Sequence, residues 1–191
     1  MIAALRPRYT FAEYLAVERL SRDVRHEYVN GEIFAMAGGT VEHSALSSAF
    51  LGLLFGQLQG TACRPHAGDL QISIRAAGVA TYADVAVVCD PVERDPDSPS
   101  HVTNPRLVVE VLSPTTERYD REQKRLYYQQ LESMQDYVLV AQDRRRLEIW
   151  TRSEGDWSFR TYQGREVATF TSIGCAIEVD SLYDAAGVSG Q

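Results

Sequence analysis

The chain has 191 residues, 45% of them hydrophobic, with a formal net charge of -7. That is enough apolar content for one domain with a real core, spanning residues 1–191. The acidic balance disfavours a protein that coats nucleic acid without regard to sequence, because phosphate contacts need Lys and Arg in excess. No stretch of about 18 apolar residues and no signal-peptide core is present, which leads to a cytoplasmic reading with no membrane partner.

Thr10-Phe11-Ala12-Glu13 is a capping box, so a helix is predicted from Phe11 to about Leu20. A hairpin follows, His26 to Val29 and Glu32 to Met36, around the turn Asn30-Gly31, whose two positions both need positive φ. Thr40 can cap a long helix to about Leu58. His43, Leu46, Phe50, Leu53, Leu54 and Leu58 recur on it at helical spacing, which turns His43 inward. Such a histidine is either a hydrogen-bonded core residue or part of a site.

Ala67 to Ile74 alternates and reads as a strand, with a turn at Gly78. Tyr82 to Cys89 and Arg106 to Leu112 are Val-rich runs of the kind buried on both faces of a sheet. Each run carries one acid, Asp84 and Glu110. Between them, residues 91–105 hold four prolines and read as a long exposed loop. Asp120-Arg121-Glu122-Gln123 looks like a second capping box, opening a helix to about Met134. Lys124 precedes Tyr127 by three residues and so falls on the buried side of that helix. Strands are predicted at 136–142, 146–152, 157–162, 166–171 and 176–179, with a helical turn at 181–186. The order implies a mixed central sheet flanked by helices, α/β or α+β.

The three cysteines, Cys63, Cys89 and Cys175, are too sparse for a disulfide framework and suggest a reducing compartment. Cys63-Arg64-Pro65-His66 lacks the second ligand pair that a zinc site needs. No glycine-rich phosphate loop follows a strand, and no Gly-x-Ser-x-Gly elbow exists. Two basic clusters, Arg118 to Arg125 and Arg144 to Arg146, read either as solvated faces or as local patches.

A lone carboxylate buried in an apolar strand costs several kcal/mol unless a cation joins it. Two such acids followed by an inward lysine suggest a divalent ion, Mg²⁺ (or Mn²⁺), and a phosphodiester. The ion polarises the phosphoryl oxygen, and Lys124 offsets charge or orients the attacking water. The bland readings are an ion pair between Glu110 and Lys124 and a strand-end Asp84 paired with an arginine.

The chain also resembles the Uma-type family of restriction endonucleases, within the PD-(D/E)xK nuclease superfamily. The match rests on His26-Glu27-Tyr28-Val29-Asn30-Gly31-Glu32, Met36-Ala37-Gly38-Gly39, His43, Asp69, Tyr82-Ala83-Asp84-Val85, Glu110 to Thr116, Asp120, Lys124 and Tyr127. The resemblance implies a restriction-endonuclease-like core and metal-dependent cleavage of DNA. Asp84 matches the motif's aspartate and Glu110 its second acid. Ala83 stands where the motif has proline. Leu112 fills the lysine position, for which Lys124 is the displaced replacement. Glu32, Asp69 and His43 form a second tier. The partners implied are DNA, or RNA, and a second copy of the chain, since duplex cleavage needs two cuts. The rivals are an inactive nucleic-acid-binding or interaction module of the same fold and a hydrolase with a small substrate.

Overall fold

The structure is a computed structural model, described for residues 8–36 and 38–189. Ala37 of the family motif lies outside the described residues. The elements run α1 (Phe11–Leu20), β1 (His26–Val29), β2 (Glu32–Ala35), α2 (Val41–Gln57), β3 (Cys63–Ala67), β4 (Gln71–Ile74), β5 (Val79–Tyr82), β6 (Val85–Cys89), β7 (Arg94–Asp95), β8 (Ser98–Val102) and β9 (Pro105–Val111). A helical run follows as α3 (Glu117–Tyr119), a π-helical turn (Asp120–Lys124) and α4 (Arg125–Tyr128). The chain ends with β10 (Asp136–Val140), β11 (Arg146–Ser153), β12 (Asp156–Gln163), β13 (Val167–Phe170), β14 (Cys175–Glu178) and α5 (Val179–Ala186).

The strands form two mixed six-stranded sheets, ordered β2-β1-β5-β4-β8-β7 and β12-β11-β10-β9-β6-β3, and a β13-β14 pair. The fold class is therefore the expected mixture of sheet and flanking helices. In the second sheet, β9 and β10 run parallel and the other neighbours antiparallel. Its central strands are buried on both faces, as their continuous valine runs require. Val85, Val87, Leu107 and Val109 pack against Leu46, Phe50 and Leu54 of α2 and Leu182 of α5. Ala86, Val88 and Val108 face the other way, onto Ile72, Ile74 and Val79 of the first sheet and Tyr128 of α4. Each fully buried Leu or Phe stabilises the fold by about 1.5–3 kcal/mol, and truncating Phe50 to Ala would cost about 3–5 kcal/mol.

The local signals at the N-terminus behave as expected. Thr10 and Glu13 close the capping box of α1. Asn30 and Gly31 have φ of 49° and 92°, as the two-residue hairpin needs. Thr40 caps α2 by accepting from the His43 N–H.

Five expectations are corrected. The run Tyr82 to Cys89 is not one strand: β5 belongs to the first sheet and β6 to the second, with Ala83 and Asp84 at the crossing. The alternating run 67–74 breaks in the same way, at the turn Gly68-Asp69 between β3 and β4. Residues 91–105 are not a loose loop but carry the β7-β8 hairpin. Buried Asp95 anchors it by accepting from Ser73 at 2.6 Å and Arg75 at 2.8 Å. Asp120 caps nothing. The helical run already starts at Glu117, whose N–H donates to the Ser113 carbonyl at 2.8 Å, and it ends at Tyr128 rather than Met134. Finally, Cys63 and Cys89 stand opposite each other in the β3-β6 ladder and form a disulfide, leaving Cys175 as the free thiol. The register of two strands decides this pairing, and residue spacing does not reveal it. The argument from unpaired thiols to a reducing compartment therefore falls. His66, three positions from Cys63 on a strand, points to the opposite face, so no Cys-His zinc pair forms there.

Candidate active site

Asp84 and Glu110 come together because β6 and β9 are antiparallel, with Val85 opposite Val109. One step further along that register sets Asp84 level with Glu110. The crossing between sheets frees Asp84 from the ladder, so its side chain can turn to neighbours. Its Oδ2 accepts the Val111 N–H at 2.7 Å and lies 3.1 Å from His43 Nε2. The phase of α2 that buries Leu46 and Phe50 carries His43 to this point. Thr40 fixes that end of α2 from the other side: its hydroxyl donates to Gln142 Oε1 at 2.8 Å, and Gln142 Nε2 donates to the Leu112 carbonyl at 2.6 Å.

Glu110 is deeper, its side chain 5% exposed against 22% for Asp84. Lys124 Nζ lies 2.9 Å from Glu110 Oε1 and 3.3 Å from Glu27 Oε1. Glu27 sits beside Thr81 on the neighbouring β5, and the Thr81 hydroxyl donates to it. The π turn contributes to this geometry. The Arg125 N–H reaches back to the Asp120 carbonyl, five residues away, and both Asp120 and Lys124 are buried. Single π turns of this kind are frequent at functional sites. Beneath them the Tyr137 hydroxyl donates to the same Asp120 carbonyl at 2.8 Å, and its ring lies 5.6 Å from that of Tyr128, tilted by 35°.

Charge is distributed unevenly over this group. Burial pushes the Glu110 carboxyl well above its usual range; Lys124 opposes the shift, and Asp84 and Asp120 add to it. Burial works against the Lys124 charge, but Glu110, Glu27 and Asp120 outweigh it and hold the ammonium well above its ordinary value. Burial also raises Asp120. The hydrogen bond to Asp84 raises His43. The result is a deep ion-paired floor of Glu110, Lys124 and Glu27, with a more exposed rim of Asp84 and His43.

Of the residues singled out from sequence, the structure brings together Asp84, Glu110, Lys124 and His43. Glu32 stands opposite Val29 in the β1-β2 ladder, two pairs nearer the turn than Glu27. Asp69 is exposed in the β3-β4 turn. The hairpin acid that reaches Lys124 is thus Glu27, to which sequence reasoning gave no role. A signal was available: Glu27 and Val29 alternate onto one face of β1, and an apolar Val29 implies that face points inward. Asp120 was misplaced as a cap for the same kind of reason, since a helix that began earlier turns it inward.

Both basic clusters are turned onto the protein's own acids and rings. Arg121 pairs with Glu117 at 2.8 Å and with Glu148, and Arg125 lies 4.3 Å over Trp150. Arg145 pairs with Asp184 at 2.6 Å and Arg146 with Glu148 at 2.7 Å. Among the described residues no three His, Cys, Asp or Glu side chains converge tightly enough to enclose an ion by themselves. The donors on hand are two carboxylates, the number that Mg²⁺ commonly takes when water and substrate phosphate complete its shell. Among the described residues no helix is long and apolar enough to cross a membrane.

Comparison with known proteins agrees with this fold. The Uma2 family, described as "Putative restriction endonuclease", matches residues 11–179. The uncharacterized protein slr1290 of Synechocystis sp. is 39% identical over 178 residues, covering 93% of this chain and 92% of that protein. The uncharacterized protein sll1609 of the same organism is 30% identical over 142 residues, covering 74% and 80%. A crystal structure from Anabaena variabilis, titled a "putative nuclease belonging to DUF820", superposes with a TM-score of 0.72 at 14% identity, covering 91% of this chain and 98% of that one. At that identity the likeness is one of fold.

Proposed function

Because this chain belongs to the Uma2 family of restriction-endonuclease-like proteins, we propose that it is a divalent-metal-dependent endonuclease acting on DNA phosphodiesters. The observation that carries the reading is the placement of Lys124 Nζ 2.9 Å from Glu110, with Asp84 level with Glu110 just before the adjacent strand. An isolated structural ion pair would need one acid for one lysine. Here three further acids, Asp84, Glu27 and Asp120, crowd the same place, and such crowding is costly unless a cation relieves it.

In this reading Asp84 and Glu110 hold Mg²⁺ (or Mn²⁺), whose contribution is to polarise the phosphoryl oxygen and lower the pKa of water. The rim position of Asp84 lets a bulky phosphodiester approach, while Glu110 stays out of reach of solvent. Lys124 faces the developing negative charge from the floor of the site, where low dielectric strengthens its effect. Glu27 and Thr81 hold the lysine from behind, so its ammonium keeps a fixed place. His43 fixes the orientation of the Asp84 carboxylate through Oδ2. Duplex cleavage requires two cuts, so the active species is a pair of chains.

The test is nicking of supercoiled plasmid by the purified protein with Mg²⁺ or Mn²⁺, wild type against Asp84→Ala. Cleavage by the wild type that the variant lacks supports the reading. Equal cleavage by both, or none by either across duplex, single-stranded and RNA substrates, would sink it.

A further inference from the structure

Among the described residues one sheet edge is both long and regular, while β13 and β14, which form a sheet of their own, have four residues each. In the first sheet the edge strands are short, β2 with four residues and β7 with two. In the second sheet β3 is one edge; it contains Pro65 and its Cys63 is bonded to Cys89 of its neighbour. The opposite edge is β12, eight residues long and paired with β11 through eight consecutive positions without a bulge or a proline. Natural proteins rarely leave such an edge open, because its unpaired N–H and C=O groups are a template for another strand.

The turn shows which groups are open. Glu154 and Gly155 form a two-residue hairpin turn with φ of 52° and 93°. The flanking pair, Ser153 and Asp156, is then hydrogen-bonded across the hairpin, and alternation points the backbone groups of Trp157, Phe159 and Thr161 away from β11. At the far end the edge is closed, since Gln163 donates its N–H to Glu166 Oε2 and accepts the Glu166 N–H. The open part is the half nearer the turn.

We propose that this half of β12 pairs antiparallel with the same strand of a second copy, with Ser158 opposite Ser158 on the two-fold axis. Self-complementarity selects that register. It sets Asp156 opposite the second copy's Arg160 on one face, and Trp157 opposite the second copy's Phe159 on the other. Each pair forms twice. Arg160 is 65% exposed, lies 4.5 Å over the Tyr162 ring and meets Glu166 at 3.5 Å, and Phe159, packed on Trp150 from one side, is still 49% exposed, so both keep an open side for a partner. A register centred on Phe159 would instead oppose Asp156 to Tyr162 and Arg160 to Ser158, with no opposite charges matched. Cross-strand pairs of opposite charge and of aromatic rings are the units that stabilise a ladder.

This inference names the interface of the pair of chains proposed above and rests on that reading for its purpose. Strands β9 to β12 and their copies would make one continuous sheet. The two Glu110 strands lie seven spacings apart, about 34 Å across the sheet, and because Glu110 is level with Thr161 rather than Ser158 the two copies are also offset by about 20 Å along the strands.

The experiment reads assembly without any nucleic acid. Ser158→Cys should form a disulfide-linked dimer rapidly under mild oxidation, because residues facing each other on the axis are the closest pair, while Ser153→Cys should not. Sedimentation should show a wild-type dimer that Arg160→Asp dissociates and that the exchanged variant Asp156→Arg/Arg160→Asp restores. Phe159→Pro, which removes an outward-pointing N–H together with the ring packed 4.9 Å from Trp150, should give a folded monomer by circular dichroism. A monomeric wild type at the highest concentration reached, or a dimer indifferent to Arg160→Asp and uncrosslinked through residue 158, overturns the interface. A dimer of this kind that fails to nick plasmid would count against the nuclease reading alone.

Discussion

Lys124 and Glu27 meet at 3.3 Å although they come from the helix after β9 and from the N-terminal hairpin. The contact joins the first sheet to the helix that covers the second. It also gives Lys124 a second carboxylate, so its position is set by two partners on different elements rather than by Glu110 alone.

Glu27→Gln should therefore act through the lysine. The amide can still accept from Thr81 but no longer pairs with the ammonium, and Lys124 is left to Glu110. Plasmid nicking should fall at least about tenfold, the scale of one misplaced charge-assisted contact of 1.5–3 kcal/mol. The melting temperature should move by no more than a few degrees, and Glu27→Asp should recover part of the rate. Full activity in Glu27→Gln would remove this residue from the site.

Lys124→Ala should be costlier to the fold. It strands two buried carboxylates, and breaking a buried pair by removing one partner costs about 3–5 kcal/mol. Denaturant unfolding at pH 7 should show this loss, and Lys124→Met/Glu110→Gln should recover part of it, because Glu110's charge leaves with the ammonium and only Glu27 stays without it. At saturating metal, turnover should fall more than substrate affinity.

Glu110→Gln should weaken Mg²⁺ or Mn²⁺ binding in a calorimetric titration. Its effect on stability has a definite sign. Burial raises the Glu110 carboxyl in the folded protein, so the folded state binds the proton more tightly than the unfolded state. That group's contribution is present below its unfolded pKa and is lost as pH rises toward its folded pKa. The amide cannot ionise, so Glu110→Gln should gain on the wild type as pH rises above about 4.5, offset by the loss of the Lys124 contact.

His43 offers a direct spectroscopic reading of the rim. The hydrogen bond with Asp84 raises its pKa. Asp84→Asn should lower it, visible as a displaced titration of the His43 ring protons by NMR. The same argument gives stability that is complete below the unfolded histidine pKa and fades as pH passes the folded one. An unchanged titration in Asp84→Asn would break the link between the two residues.

His101 behaves oppositely and lies away from the site. It is fully buried against Phe11 and Tyr14, with Ser98 Oγ 2.9 Å from Nδ1. Burial lowers its pKa from 6.5 to about 4. The unfolded chain therefore binds a proton that the folded protein refuses between these values, and stability should drop as pH falls through that window. The whole window is worth about 3 kcal/mol. His101→Phe should flatten the difference in unfolding free energy between pH 7 and pH 5 by about 2 kcal/mol.

Much of the site was legible because burial and charge conflict in the one-dimensional pattern. Asp84 and Glu110 each interrupt a valine-rich run, and Lys124 falls on the apolar phase of its helix. Glu27 was legible in principle, through its alternation with Val29, but its partner lies on an element almost a hundred positions later. Nothing local distinguishes it from Glu32, two residue pairs along the same hairpin face. Asp120 fits a capping pattern by composition, and only the earlier helix start at Glu117 turns it inward.

The pair of strands that carries the acids shows the division most clearly. Local chemistry determined the turns, the caps and the apolar runs, because each depends on backbone preferences and side chains within a few residues. It also determined that acids in those runs needed a cation. Tertiary structure decided that the first run is divided between two sheets, with Asp84 at the crossing. It decided that Cys63 faces Cys89, and that Glu27 rather than Glu32 braces the lysine. Those outcomes depend on the register between strands distant in the chain, which is set by the packing of whole sheet faces, and no short stretch of sequence contains that information.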